Sequence, residues 1–521
     1  MPFSLILFFL SIGVIFFSDV FIVYNTPLLS FFLVLLMPIF LFLSAKTEKK
    51  KIYLPVKETF FYLLFIIFSV ISTFFAIDKE IAFQSLLIYI AGYLFFIFSF
   101  NYQDEIKKKI KPLLIIISIF SILIFILDYL LKLSLFKEGA SIFYTGYQHN
   151  QLGNLLALGF IVTFPDVLSL FFFIGVLFSY SRTAYFVLSL IIIIQTLKNK
   201  IEKKSLVIGT FLILIIGLFY FLTSKNILFT KNKKTLGYRN IYFSYALSSI
   251  RELPLFGVGP GNFYYAASKR QVNYGENTAT AHNIVLNVLA ENGVLAGTFF
   301  ILFILLIVYR RKKNTNFLLF LALSLIFMFD FSYHYNIFLV LWFIFGGLVL
   351  DLKKKREINI IPYSLTIFIC VQIILFGHIL LNRGLWKQSL LVYPLQKKAY
   401  ETAIEENIKQ KDRSQALNYL KKYDQLFGQS FTVVFEEIKY YQDLDKKKEI
   451  VEAYKKLLFL NPFITDTIQI NMLNSYIDFY GEKKGRQEIG KILLDIKRIY
   501  NIINPKNIIF KKWMIFTNVI N

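Results

Sequence analysis

The sequence predicts an all-α protein: a polytopic membrane helical bundle of about thirteen spans, followed by a smaller helical domain. Three observations predict it. The chain is 56% hydrophobic and 18% aromatic with a mean hydropathy of +0.59, outside the range of soluble globular domains. Apolar runs of roughly 15 to 25 residues recur from Phe3 to Leu381, near the ~20 residues that carry a helix across a hydrocarbon core. After Asn382 the composition turns polar and rich in Lys and Glu, with apolar residues at helical spacing. Barrel strands would be shorter and would alternate.

Taken in order, spans are expected at 3–17, 28–45, 58–77, 81–100, 112–131, 149–164, 167–181, 183–197, 205–223, 284–309, 317–331, 337–350 and 361–381. The first run, "FSLILFFLSIGVIFF", lacks a basic n-region and a small-residue cleavage site, so it reads as a retained helix. The net charge of +24 comes from lysines at the ends of the runs: "KTEKKK" at 46–51, "KKKIK" at 107–111, "KNKIEKK" at 198–204, "RRKK" at 310–313 and "KKKR" at 353–356. Such clusters mark cytoplasmic loops attracted to anionic headgroups of the lipid bilayer, and they speak against nucleic acid as a partner. With the N-terminus cytoplasmic, all five fall on one face only if 149–197 holds three short helices. The outer face then receives loop 132–148, the "SYSRT" corner at 179–183, the long loop 224–283, the "SYHYN" corner at 332–336 and the chain after Asn382.

This divides the chain into a transmembrane domain, 1–381, and a soluble helical domain, 383–521. In the latter, "SQALNYLKKYDQLF" at 414–427 and "VEAYKKLLFLNP" at 451–462 look alike, with Ala416 and Ala453 37 positions apart. They resemble degenerate helix pairs of the tetratricopeptide type and predict a surface for a protein partner. The single cysteine, Cys370, lies in an apolar run, which excludes a disulfide framework and a Cys-based metal site. The outer segments hold no HExxH and no DxD-like motif, so no metal and no cofactor are expected.

Polar residues at outer helix ends stand out against this background. His149, His282 and His334 all lie there, and His378 lies near the outer end of the last span. For His334 and His378 the plainer reading is a satisfied interfacial group, and at His149 and Asn150 it is helix capping. His282 is followed by Asn283, a ready cap, and by Glu291 among Gly293 and Gly297. A carboxylate inside an apolar helix is costly unless paired, so Glu291 is expected to meet a cation or a backbone donor. Arg182 and Arg239 stand on the outer side, where basic residues are disfavoured. Arginine suits bidentate contact with phosphate oxygens, so an anionic, phosphate-bearing ligand is the reading to weigh against snorkelling of Arg182 to headgroups. "PLFGVGPGNF" at 254–263 is not a nucleotide loop, because Pro260 offers no amide and no strand precedes it. Gly257, Gly259 and Gly261 read as a tight turn.

The order "GYQHNQLGNLLAL", "SYSRTAYFVLSL", "GYRNIYFSYALSSIRELPLFGVGPGNF" and "TAHNIVLNVLAENGVLAG", over about 140–350, resembles the O-antigen ligase and polymerase superfamily. Its members include lipopolysaccharide O-antigen ligases, O-antigen polymerases and bacterial protein O-oligosaccharyltransferases. The resemblance implies a GT-C type, metal-independent, inverting glycosyltransferase in the bacterial cytoplasmic (inner) membrane. It would pass a glycan from an undecaprenyl diphosphate carrier to an acceptor hydroxyl on the outer face, for lipopolysaccharide or polysaccharide biosynthesis at the cell envelope. The acceptor stays open between lipid A core, a glycan and a protein. The essential histidine falls on His282 and the diphosphate-binding arginines on Arg182 and Arg239, with Asn283, Glu291, His149, Asn150 and His334 as candidates for support. A polysaccharide or lipid transporter is the alternative of another class, but it calls for repeated halves, and 1–200 and 200–380 show no self-similarity.

Overall fold

Away from water a backbone must close its own hydrogen bonds, and apolar sequence therefore becomes helix. The computed structural model describes residues 2–21, 27–131, 149–198, 211–217, 235–268, 270, 278–309, 315–350, 355–358, 361–410, 412–428, 431–460 and 466–501. The first helices are α1 (Phe3–Phe21), α2 (Pro27–Thr47), α3 (Val56–Phe75), α4 (Lys79–Asn101), α5 (Gln103–Leu131), α6 (His149–Thr163), α7 (Leu168–Phe178), α8 (Arg182–Lys198) and α9 (211–217). Then come α10 (Thr235–Glu252), α11 (Phe263–Ser268), α12 (Ile284–Tyr309), α13 (Thr315–Phe329), α14 (Asn336–Val349) and α15 (Ile361–Asn382). Among the described residues, helix falls within each segment where a span was expected, with only 211–217 described of the one expected at 205–223. Segments in α3, α4, α12 and α15 are long and apolar enough to cross a bilayer, and α1, α2, α7, α8, α13 and α14 contain shorter apolar segments. The protein is a multi-pass helical membrane protein. Loop 132–148, positions 224–234 of the long loop, basic clusters 199–204 and 310–313, and the last residues 502–521 lie outside the described residues, as does much of the span expected at 205–223.

Three of the basic clusters meet at one end of the bundle. There β1 (Ile52–Pro55) pairs antiparallel with β2 (Lys355–Ile358), Ile52 opposite Ile358. Lys51 pairs with Glu357 at 3.0 Å, Lys50 with Glu105 at 3.0 Å and Lys111 with Asp166 at 3.4 Å. Such exposed pairs add little stability. Their significance is positional, because with the β-ribbon they put Lys50, Lys51, Lys111 and Lys355 at one end of the bundle.

The centre is aromatic. Tyr62 stacks on Tyr93 at 4.2 Å, both close on Phe303, and Trp342 is fully buried beside them. Helix ends inside this core are closed by side chains. The carboxylate of Asp19 accepts from the Ile337 amide at 2.6 Å near the start of α14, and Gln103 Nε2 donates to the carbonyls of Gly347 and Leu350 at the other end.

α12 is broken at Gly293, whose φ of 83° and ψ of 169° suit glycine alone. The carbonyls of Ala290 and Glu291 accept instead from Val258 N at 3.1 Å and Gly259 N at 2.8 Å, and Val294 N donates to Pro254 O at 2.8 Å. The glycine turn is thus sewn into the break, with Gly257, Gly259 and Gly261 all at positive φ. A side chain at Gly293 would strike the Leu255 carbonyl. Gly293→Ala is therefore expected to cost at least about 1–3 kcal/mol from its backbone angles alone, before the clash. The midpoint of thermal aggregation in detergent checks this against Gly13→Ala, whose new methyl meets nothing; equal midpoints for the two variants would contradict it.

Beyond α15 follow α16 (Trp386–Val392), α17 (Lys397–Lys409), α18 (Arg413–Phe427), α19 (Phe431–Asp443), α20 (Lys447–Leu460), α21 (Asp466–Tyr480) and α22 (Glu482–Asn501). α17 packs on α18, α19 on α20 and α21 on α22. Buried Ala416 and Ala453 lie on the second helices of the first two pairs.

Candidate functional site

The end of the bundle away from the β-ribbon collects the polar residues. Tyr180, at a φ of 53°, turns the chain between α7 and α8, and Ser181 Oγ accepts from Ala184 N to cap α8. This makes Arg182 the first residue of α8. α10 lies across the same end, packed through Tyr245 and Ala246 onto Phe263, Ala281 and Ala290. The result is that Arg182 and Arg239 line one cavity of ≈ 450 Å³, together with Thr183, Ser189, Phe186 and Phe329. Ser189 is seven residues below Arg182 on α8, so the cavity runs about 10 Å down that helix. Its far wall includes Ile213, Ile216 and Gly217 of α9.

The charge in this cavity is not balanced locally. Arg239 Nη2 stands 3.8 Å from Oδ2 of Asp330, a fully buried carboxylate; the distance is electrostatic contact and too long for a hydrogen bond. Burial lowers the pKa of Arg239, Asp330 opposes this, and Arg182 lowers it further. Among the described residues no carboxylate pairs with Arg182. Asp330 itself is held at Oδ1 by Ser332 Oγ at 2.6 Å, Ser332 N at 3.0 Å and Gln151 Nε2 at 3.2 Å. Asn154 Nδ2 donates to Ser332 Oγ at 3.0 Å, and Asn150 adds a favourable electrostatic contact to Asp330. The side chain of His149 lies outside what is described.

His282 sits beside Arg239. Asn283 Oδ1 accepts from Leu286 N at 2.9 Å, capping α12, and its Nδ2 donates to Met328 O at 3.0 Å, tying the start of α12 to the end of α13. With Asn283 so placed, His282 adopts a φ of 52° and its ring lies between Tyr242, stacked at 5.1 Å, and Phe331, edge-on at 4.9 Å. Its Nδ1 is buried and has no hydrogen-bond partner among the described residues. Burial pushes the His282 pKa down to about 3, and Arg239 and His334 add to the shift. The sequence suggests an imidazole near its ordinary value; burial above all, with Arg239 and His334 adding to it, instead holds the ring neutral.

The other candidates divide. His334 is exposed, its ring 4.9 Å from that of Tyr333, close enough to influence His282. Glu291 is not on the cavity wall: its Oε1 accepts from Phe263 N at 3.2 Å, so a backbone donor meets it and it secures the glycine turn. His378 Nδ1 lies 2.9 Å from Gln396 Nε2, at the root of the tail. Asp330, Gln151, Asn154 and Ser332 were not singled out from the sequence. The signal for Asp330 is present in "LIFMFDFSYHYN", since the cost that marks Glu291 applies equally to an aspartate closing an apolar run.

Two half-buried arginines thus share one cavity at one end of a membrane bundle, with a neutral imidazole beside Arg239. Residues 167–301 match the family model described as O-Antigen ligase, which sets the chain's resemblance within the O-antigen ligase/polymerase superfamily. The matched quarter of the chain contains Arg182, Arg239, His282 and Glu291, and ends before Asp330 and the tail. That family implies an enzyme of glycosyl-transfer type with a lipid-linked glycan as substrate. No curated protein and no solved structure matches the chain.

Proposed function

We propose that the protein transfers a glycan from an undecaprenyl diphosphate carrier to an acceptor hydroxyl on the outer face of the cytoplasmic membrane, in the manner of an O-antigen ligase. The observation that carries this is the shared cavity of Arg182 and Arg239, cationic at its head and walled by Phe186, Ile213, Ile216 and Phe329 along its length. A diphosphate would meet the guanidinium forks and the isoprenoid chain would follow the apolar wall. The acceptor oxygen attacks the anomeric carbon, its proton passes to an imidazole nitrogen of His282, and the bond from that carbon to the diphosphate breaks. The departing charge stays on the carrier, between the two arginines. Attack from the face opposite the leaving group inverts the anomeric centre, and neither a metal nor a covalent intermediate enters the step. The tail, read as helix pairs of the tetratricopeptide type, supplies a docking surface for a protein partner.

The test is transfer by the purified chain in liposomes containing a native lipid-diphosphate glycan extract, offered lipid A core, a peptide mixture or no acceptor. Glycosylated lipid A core is the expected product. Glycosylated peptide would make the protein an oligosaccharyltransferase, and a lengthened lipid-linked glycan would make it a polymerase. Flux of lipid-linked glycan across the vesicle without transfer would overturn the proposal in favour of a transporter.

A further inference from the structure

The tail is joined to the transmembrane domain by a buried ion pair. Lys397, the first residue of α17, places Nζ 2.8 Å from Oδ2 of Asp78, and the lysine side chain is 23% exposed against 0% for the aspartate. Tyr265 Oη lies 3.1 Å from Lys397 Nζ and donates to Asp78 Oδ2 at 3.0 Å, closing a triangle. The Lys397 amide donates to Glu80 Oε2 at 2.9 Å, and Lys79 Nζ donates to the Gln425 carbonyl of α18 at 2.9 Å. Burial works to lower the pKa of Lys397, but Asp78 together with Tyr265 and Tyr423 outweighs it and the ammonium stays charged. Removing one member of such a pair leaves the other buried and uncompensated, so the contact couples the two parts strongly.

Asp78 leads on to the site. Its amide donates to Asn262 Oδ1 at 2.8 Å, and Asn262 Nδ2 donates back to the Asp78 carbonyl at 3.0 Å. The next residue, Phe263, donates its amide to Glu291, and the turn before it is sewn through Val258 and Gly259 into the break of α12. α12 begins immediately after His282 and Asn283. A continuous set of hydrogen bonds therefore runs from the tail to the helix that starts two residues after the candidate base, and Asn262 and Tyr265 lie in the chain between Arg239 and His282.

We propose that Lys397 and Asp78 are positioning residues, through which the docked C-terminal domain fixes the glycine turn 257–263 and with it the start of α12. The effect on turnover rests on the transferase reading; the structural coupling does not. The pair acts on geometry and not on the affinity of the cavity, so loss of docking lowers kcat while the donor KM holds.

The experiment is hydrogen exchange on the full chain in nanodiscs, with kcat and donor KM measured on the same samples, for wild type, Lys397→Met, Lys397→Arg and Asp78→Asn. Asparagine keeps the cap that Asp78 gives to Ile81 N at the start of α4, so Asp78→Asn tests the charge if the lysine variant fails to insert. Expected is exchange about tenfold faster at the amides of Val258, Gly259, Asn262 and Phe263 in Lys397→Met and Asp78→Asn, with α14 unchanged and Lys397→Arg near wild type. Expected too is a fall in kcat of about tenfold or more, with KM within about twofold. Unchanged exchange at the turn would overturn the coupling, and so would loss of protection throughout the bundle in both variants. Faster exchange at the turn with unchanged kcat would overturn the positioning role. Faster exchange in a protein whose wild type transfers nothing would sink the transferase reading and leave the coupling standing.

Discussion

Arg239→Ala is expected to lower kcat/KM for glycan transfer by about 10²–10³-fold, the loss seen when a preorganised donor to a developing oxyanion is removed from a dry site. Arg182→Ala should cost a similar factor, because both arginines line one cavity and under the proposed function both meet the same leaving group. The two variants differ in stability. Losing Arg239 leaves Asp330 buried without its cation, whereas among the described residues Arg182 has no carboxylate to orphan. Thermal midpoints should therefore fall in Arg239→Ala more than in Arg182→Ala, and activity should fall in both. Arg239→Lys keeps the charge but gives up the planar fork, so it should recover only part of the rate. Full activity in Arg182→Ala would remove it from the leaving-group site and return it to headgroup contact.

His282→Ala should reduce kcat by about 10²–10⁴-fold with folding and insertion preserved, the range for loss of a positioned general base. The pH dependence is more discriminating. Burial, Arg239 and His334 hold the free imidazole at a pKa of about 3, so it is in its base form at all higher pH. A bound diphosphate brings negative charge beside Arg239 and favours the imidazolium, which raises the pKa in the complex. The acid limb of kcat, which reports the complex, is then expected at higher pH than any acid limb of kcat/KM assigned to free His282. Identical limbs, or a kcat profile unchanged by His282→Ala, would exclude His282 as the base.

Much of this was legible because its signals are local. Apolar run length places the helices, and a basic residue on the side where few are tolerated isolates Arg182 and Arg239 without any knowledge of the fold. Gly257, Gly259 and Gly261 announce a turn because few residues accept positive φ. What the turn is for was not legible: its amides close carbonyls of α12 opened at Gly293, some thirty residues further along the chain. Glycine composition cannot distinguish that from close helix packing. Asp330 was overlooked beside His334, although its cost at the end of an apolar run was readable; its partner Ser332 is two residues on, while Gln151 comes from a distant segment that only packing brings to it. Lys397 carried no signal, being one lysine in a lysine-rich tail. Its importance comes from Asp78, more than three hundred positions away.

The central claim is that Arg182 and Arg239 jointly hold the diphosphate of a lipid carrier, and native mass spectrometry of the detergent-released protein tests it most directly. Wild type, Arg182→Ala, Arg239→Ala and the double variant would be titrated with undecaprenyl diphosphate and, separately, with undecaprenyl monophosphate. The account predicts retention of the diphosphate by wild type, weaker retention of the monophosphate, and an affinity for the diphosphate at least about a hundredfold lower in the double variant, since each charge-assisted contact contributes roughly 1.5–3 kcal/mol. Equal retention of diphosphate by wild type and the double variant would contradict it.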